Sequence, residues 1–155
     1  MTTISADLRR DRDAFLQRVY EFTDDRPYLY PKVIDDLIEW SLERSDKLYH
    51  CPRTGDQDVV RFRVVGLDQV FWIAYPRKQK KDAKLIALED DVAQTPKWVR
   101  DDVRKEFIAF RHPEREEDEE YPTLSFRHLL MESRRRKIFD LMDRALNQIR
   151  KSVMK

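Results

Sequence analysis

The stretch VVRFRVVGLDQVFWIAYPRKQKKDAKLIAL, residues 59–88, constrains the fold more than any other part of the chain. VVRFRVV (59–65) alternates, with Val60, Phe62 and Val64 on one side and Arg61 and Arg63 on the other. That is the period of a strand with one face buried. Gly66-Leu67-Asp68-Gln69 is short enough for a hairpin connection. VFWIAY (70–75) is apolar on both faces, as a central strand would be, and KLIAL (84–88) supplies a third strand. The three read as an antiparallel meander.

Helical periods flank this block. Leu8, Phe15, Leu16, Val19 and Phe22 form one stripe over residues 5–22, and TDDRPYLYP then interrupts it with two prolines. A second helix begins near Pro31, carries Val33, Ile34, Leu37, Ile38 and Leu42 with Trp40 beside them, and ends near Ser45. Thr95-Pro96 is a helix start, with Val99, Val103 and Phe107 turned inward as far as about Phe110. The C-terminal segment reads as helical from about Leu124, with a break at ESRRRK (132–137) and Ser133 as the cap of a final helix. That helix carries Ile138, Leu141, Met142, Ala145, Leu146 and Ile149.

The expected fold is a single α+β domain over residues 1–155, in the order α-α-β-β-β-α-α. A small antiparallel sheet of three strands, or slightly more, packs against helices. Residues 1–30 are an N-terminal helix and proline-rich connector, and RHPEREEDEEYP (111–122) is an acidic loop expected to be mobile. Two arginines against six acids give that loop a formal charge of −4.

Composition excludes several functions. Gly55 and Gly66 are the only glycines, too few for a glycine-rich phosphate loop or a dinucleotide fingerprint. Cys51 is the only cysteine, so no internal disulfide and no four-thiolate zinc site forms. The N-terminus has no apolar core of signal-peptide length, and no run approaches the roughly 20 apolar residues that span a bilayer. The expectation is a soluble cytoplasmic protein with no membrane contact, no cofactor and no metal. Charged residues make up 39% of the chain, yet 31 basic and 30 acidic residues nearly cancel. Attraction to a polyanion must therefore come from local clustering.

The strongest cluster lies between the second and third strands. Arg77, Lys78, Lys80, Lys81 and Lys84 stand against Asp82 alone, a local +4. As a nucleic-acid wing, these residues would reach phosphates of DNA or RNA. Arg61 and Arg63 would extend the surface, and Trp72 and Tyr75 would offer rings for stacking. The plainer reading is a solvated, edge-protecting turn. Arg134, Arg135 and Arg136, with Lys137, form a second cluster at a helix start, where cations oppose the macrodipole. They are expected to pair with the acidic loop or to meet a protein partner. A protein–protein adaptor, dimeric through an exposed helix face, is thus the competing class.

A metal-dependent nuclease is the third. Asp82-Ala83-Lys84 is an acid-x-lysine triplet, placed in the loop before the strand, and Asp58 and Asp68 lie at strand edges. No catalytic residue is assigned. His50-Cys51 is far in sequence from His112 and His128, and no pair has ligand spacing. Tyr28-Leu29-Tyr30 reads either as an exposed recognition loop or as a loop packed over the core.

Residues 59–90 and MESRRRKIFDLMDRALNQI (131–149) together resemble the MmcQ/YjbR family, small proteins of CyaY-like α+β fold. The glycine-lysine turn and histidine-tryptophan segment of that family do not stand here in recognisable form. The resemblance, over about residues 33–150, implies a non-enzymatic domain with a double-wing DNA-binding role. It is a fold-level analogy.

Overall fold

The computed structural model describes residues 6–44, 48–50, 60–64, 69–77, 81–87, 96–110 and 122–153. In chain order these form α1 (Ala6–Phe22), a short 3-10 turn (Pro27–Leu29), α2 (Tyr30–Arg44), β1 (Leu48–His50), β2 (Val60–Val64), β3 (Gln69–Arg77) and β4 (Asp82–Ala87). There follow α3 (Lys97–Phe110), β5 (Thr123–Ser125), a second 3-10 turn (Phe126–Leu129) and α4 (Glu132–Val153). The fold is α+β, with one five-stranded sheet in the order β1-β2-β3-β4-β5, antiparallel throughout.

The helices form where apolar residues recur every three or four positions. Leu8, Phe15, Leu16 and Val19 of α1 are buried, as are Val33, Ile34, Leu37 and Ile38 of α2. They share one core with Trp72, Ala74, Ala83 and Leu85 of the sheet and Leu124 of β5. Ile138, Met142, Ala145, Leu146 and Ile149 of α4 complete it. Phe126 sits between Phe15 and Tyr30, with ring centroids 5.7 and 5.6 Å away. Burying each such ring stabilises the fold by about 1.5–3 kcal/mol.

The expected sheet of three strands or slightly more is present, with β1 and β5 as its added edge strands, and four finer expectations change. First, the segment read as helical from Leu124 begins as a strand. β5 occupies residues read as the start of the C-terminal helix, because Leu124 is buried opposite Leu85 and Thr123 pairs with Ile86. Second, β3 does not stop at Tyr75. It continues through Pro76 to Arg77, which stands opposite Asp82, so only residues 78–81 connect the strands. Proline has no N–H to give to a ladder, and Pro76 stands one residue from the end of β3, opposite Ala83. Third, Asp82-Ala83-Lys84 therefore lies in a strand and not in a loop. Fourth, α4 starts before Ser133: the Met131 carbonyl accepts from Arg135 N–H at 3.0 Å, which leaves Ser133 exposed in the first turn.

The other helix start shifts by one residue, since the Pro96 carbonyl accepts from Val99 and Arg100, and α3 begins at Lys97. The acidic segment 111–121 and the turn 65–68 lie outside the described residues. No helix among the described residues is long and apolar enough to cross a membrane.

Candidate nucleic-acid interface

The β3–β4 hairpin is fastened from below. Asp82, at the first position of β4, is buried and accepts a hydrogen bond from Ser125 Oγ of β5 at 2.8 Å. The Arg127 guanidinium approaches the same carboxylate at 3.9 Å. Ser125 also accepts from the Arg127 N–H at 3.3 Å, capping the 3-10 turn that follows. A buried carboxylate without such partners would cost several kcal/mol. With them it ties the hairpin root to β5 and to the turn that leads into α4.

The same root is packed against the end of α1. Tyr30 is buried, and its hydroxyl is pushed up to about 12, first by burial and then by the nearby Asp82 charge, while Arg127 works the other way. Lys81 Nζ meets Asp24, just after α1, at 3.6 Å across an exposed pair. Such a pair contributes little, on the order of 0–1 kcal/mol. It nevertheless places the hairpin tip beside the connector 23–28. Tyr28 of that connector is 67% exposed.

Two residues in the described chain outside glycine have positive φ: Arg26 at 51° and Lys81 at 55°. A side chain with a Cβ pays about 1–2 kcal/mol there relative to the right-handed region, and Gly or Asn is the usual occupant. Both positions here hold an exposed cation, and both lie at the same end of the molecule. Arg26 bends the chain from α1 into the first 3-10 turn, with its Nε donating to Asp25 at 3.0 Å. Lys81 closes the hairpin.

The residues singled out from the sequence divide as follows. Arg77 ends β3, and Lys81 projects from the tip. Lys84 stands within β4, half-buried and opposite Tyr75 and Ser125, so it belongs to the body of the sheet. Arg61 pairs in register with Ile73, and Arg63 with Val70 beyond an irregularity in the ladder. Lys78 and Lys80 lie outside the described residues. Trp72 is a correction. It is 0% exposed, and its indole Nε1 donates to Ser41 Oγ of α2 at 2.7 Å. Ser41 in turn donates to the Leu37 carbonyl at 2.8 Å. The ring is core and cannot stack on a base. Its place as the accessible aromatic is taken by Tyr28.

The arginine cluster disperses. Arg135 is 3% exposed and directs Nε and Nη2 to Asp36 of α2, each at 2.9 Å. Its Nη1 donates to the Leu129 carbonyl at 2.8 Å. Arg134 lies over the Phe110 ring at 4.6 Å, reaches the Phe110 carbonyl at 3.3 Å and lies 3.4 Å from His128 Nδ1. Arg136 pairs along its own helix with Glu132 at 3.0 Å. Pairing with the acidic loop lies outside the described residues. Arg135 is thus a structural residue and is withdrawn as a partner contact.

A second surface feature lies between α2 and α4, a groove of about 590 Å³. Asp36, Glu39, Glu43, Glu132, Asp140 and Asp143 line it against Arg44, Arg135 and Arg136. Arg44 clamps Asp143 through two nitrogens, one of them Nη2 at 2.9 Å, and stacks over Trp40 at 4.5 Å. Trp40 Nε1 also donates to Asp143 at 3.2 Å.

Among the described residues no group of three His, Cys, Asp or Glu side chains is placed to hold a metal ion. Asp82 is buried and committed to Ser125, unlike a carboxylate that must face an ion and a phosphate. Asp58, Asp68, Cys51 and His112 lie outside the described residues. Comparison with family models, with curated proteins and with solved structures gave no match in any of the three.

Proposed function

We propose that the chain is a non-enzymatic nucleic-acid-binding domain that presents the β3–β4 hairpin tip to the phosphate backbone of DNA or RNA. The observation that carries this reading is the left-handed conformation of Lys81 and Arg26. Backbone strain of this kind collects where a side chain has work that a cheaper residue would not do. At both positions glycine would relieve the strain, and each holds an exposed cation instead. Lys78 and Lys80 add charge to the same connection, and Arg77 stands at its base. Buried Asp82 fixes the hairpin root, so the tip's cations are offered from a preorganised support. Phosphate contacts of this type give affinity and orientation but no base readout. A reducing compartment such as the cytoplasm suits the lone Cys51.

The test is direct binding to short single- and double-stranded DNA and RNA at low ionic strength. Binding by at least one of the four is expected, and no binding to any of them overturns the proposal. A protein–protein adaptor is the second reading, favoured by the acidic groove between α2 and α4, which would suit a cationic segment of a partner. Co-purification with a partner that Glu39→Lys/Asp140→Lys releases would support it, and a partner retained by that variant would oppose it.

A further inference from the structure

Two of the large apolar side chains left in solvent lie on one helix, α3. Trp98 is 57% and Ile108 49% exposed. Val99, Val103 and Phe107 of the same helix are buried in the core, so these two residues belong to its other side. Between them, at spacings of three, four and three, stand Asp101 and Lys105. Residues 98, 101, 105 and 108 form one outward stripe with the spacing of alternating a and d positions in a two-helix seam.

The stripe is complementary to itself when reversed. Two copies of α3 laid antiparallel, with a two-fold axis at the level of Val103, set Trp98 of each against Ile108 of the other. The same operation sets Asp101 of each against Lys105 of the other. A parallel arrangement would oppose Asp101 to Asp101 and Lys105 to Lys105, so the charges select the antiparallel one. We infer that this face of α3 is a homodimer interface, isologous and antiparallel, with two Trp98–Ile108 contacts flanking two Asp101–Lys105 ion pairs. A single 14-residue helix spans about 21 Å. A single-helix seam of this length is short for a stable dimer, so a reversible association is expected, weaker than about 1 μM. Asp101 also bonds Arg104 along its own helix, which holds the carboxylate in place before the partner arrives. The inference is independent of nucleic-acid binding, since the hairpin tip takes no part in it.

Sedimentation equilibrium from about 10 μM to about 1 mM covers the affinity range of such an interface. The wild type is expected to move from monomer toward dimer. Trp98→Ala and Lys105→Asp should each weaken the dimer by about tenfold or more, the scale of losing one good contact twice. Asp101→Lys/Lys105→Asp should restore it to within about threefold, because the pairs re-form with reversed polarity. Circular dichroism confirms that each variant remains folded, as expected for surface positions. Trp98 gives a second readout: Trp40 and Trp72 are buried, so a blue shift of tryptophan emission with concentration reports on Trp98. A wild type that stays monomeric over the whole range overturns the inference. So does a dimer that Trp98→Ala and Lys105→Asp leave intact, or a charge reversal that fails to restore it.

Discussion

The hairpin 77–84 and the segment 134–137 are alike in sequence, each a short run of cations in a chain of balanced charge, and the fold treats them in opposite ways. Arg135 is drawn into the protein, where Asp36 and the Leu129 carbonyl satisfy its guanidinium. Arg134 is spread over Phe110 and beside His128, and Arg136 pairs within its own helix. At the hairpin tip, Lys81 makes a long, solvent-exposed contact with Asp24 and holds a costly backbone conformation. Position in the fold separates them: one run starts a helix packed against α2, the other closes a hairpin. Charge density in the sequence is the same signal for a structural clamp and for an exposed hairpin tip.

The contrast is broken most severely at the clamp. Arg135→Ala leaves Asp36 without its buried partner and should cost about 3–5 kcal/mol in urea unfolding, with little change in the salt dependence of any nucleic-acid binding. Trp72→Ala should cost a similar amount, about 3–5 kcal/mol, by opening a cavity and releasing the Ser41 hydroxyl. A Trp72→Ala protein that unfolds like the wild type would restore that ring to the surface and contradict its place in the core.

At the hairpin root the effect is smaller and depends on pH. Tyr30 holds its proton up to about pH 12 in the fold, against about 10 in the unfolded chain. Its contribution is complete below pH 10 and is lost as pH rises toward 12, because the unfolded chain releases the proton first. Tyr30→Phe cannot ionise, so it should lose less stability across that window, by about 1–3 kcal/mol, in parallel unfolding curves at pH 9 to 12. Identical losses for the two proteins would detach Tyr30 from the buried cluster. The smallest effect belongs to the tip: Lys81→Gly should raise stability by about 1 kcal/mol by removing left-handed strain, while weakening nucleic-acid binding. A destabilised Lys81→Gly protein would mean that Lys81 serves the fold.

Much of the architecture was legible. The stripes at 8–19, 33–42, 99–107 and 138–149 placed four helices, because a helix must bury one face and repeats every 3.6 residues. The alternation at 60–64 placed β2. Thr123-Leu124-Ser125 was not legible, since three residues carry no measurable period and the strand exists only through its pairing with β4. Pro76 misled because a proline reads as the end of a strand, whereas here it stands within β3, one residue from its end and opposite Ala83. VFWIAY is apolar at every position, so nothing local said which residue faced the helices. Ser41, a small hydroxyl inside the apolar stripe of α2, was the one available hint that an indole N–H would need an acceptor there. The site was legible as charge but not as geometry. The available signal for strain was an absence in the sequence: neither KQKK (78–81) nor DDRP (24–27) contains a glycine or asparagine.

The central claim is that the hairpin tip, and not the arginine cluster, meets phosphate. The most direct test is the slope of log binding constant against log salt for the wild type, Lys80→Ala/Lys81→Ala and Arg136→Ala, on one nucleic acid. Removing two phosphate contacts should flatten the slope by about 1.4–1.8, at roughly 0.7–0.9 per contact, and Arg136→Ala should leave it unchanged. A slope that survives the double lysine change and flattens with Arg136→Ala would contradict the account.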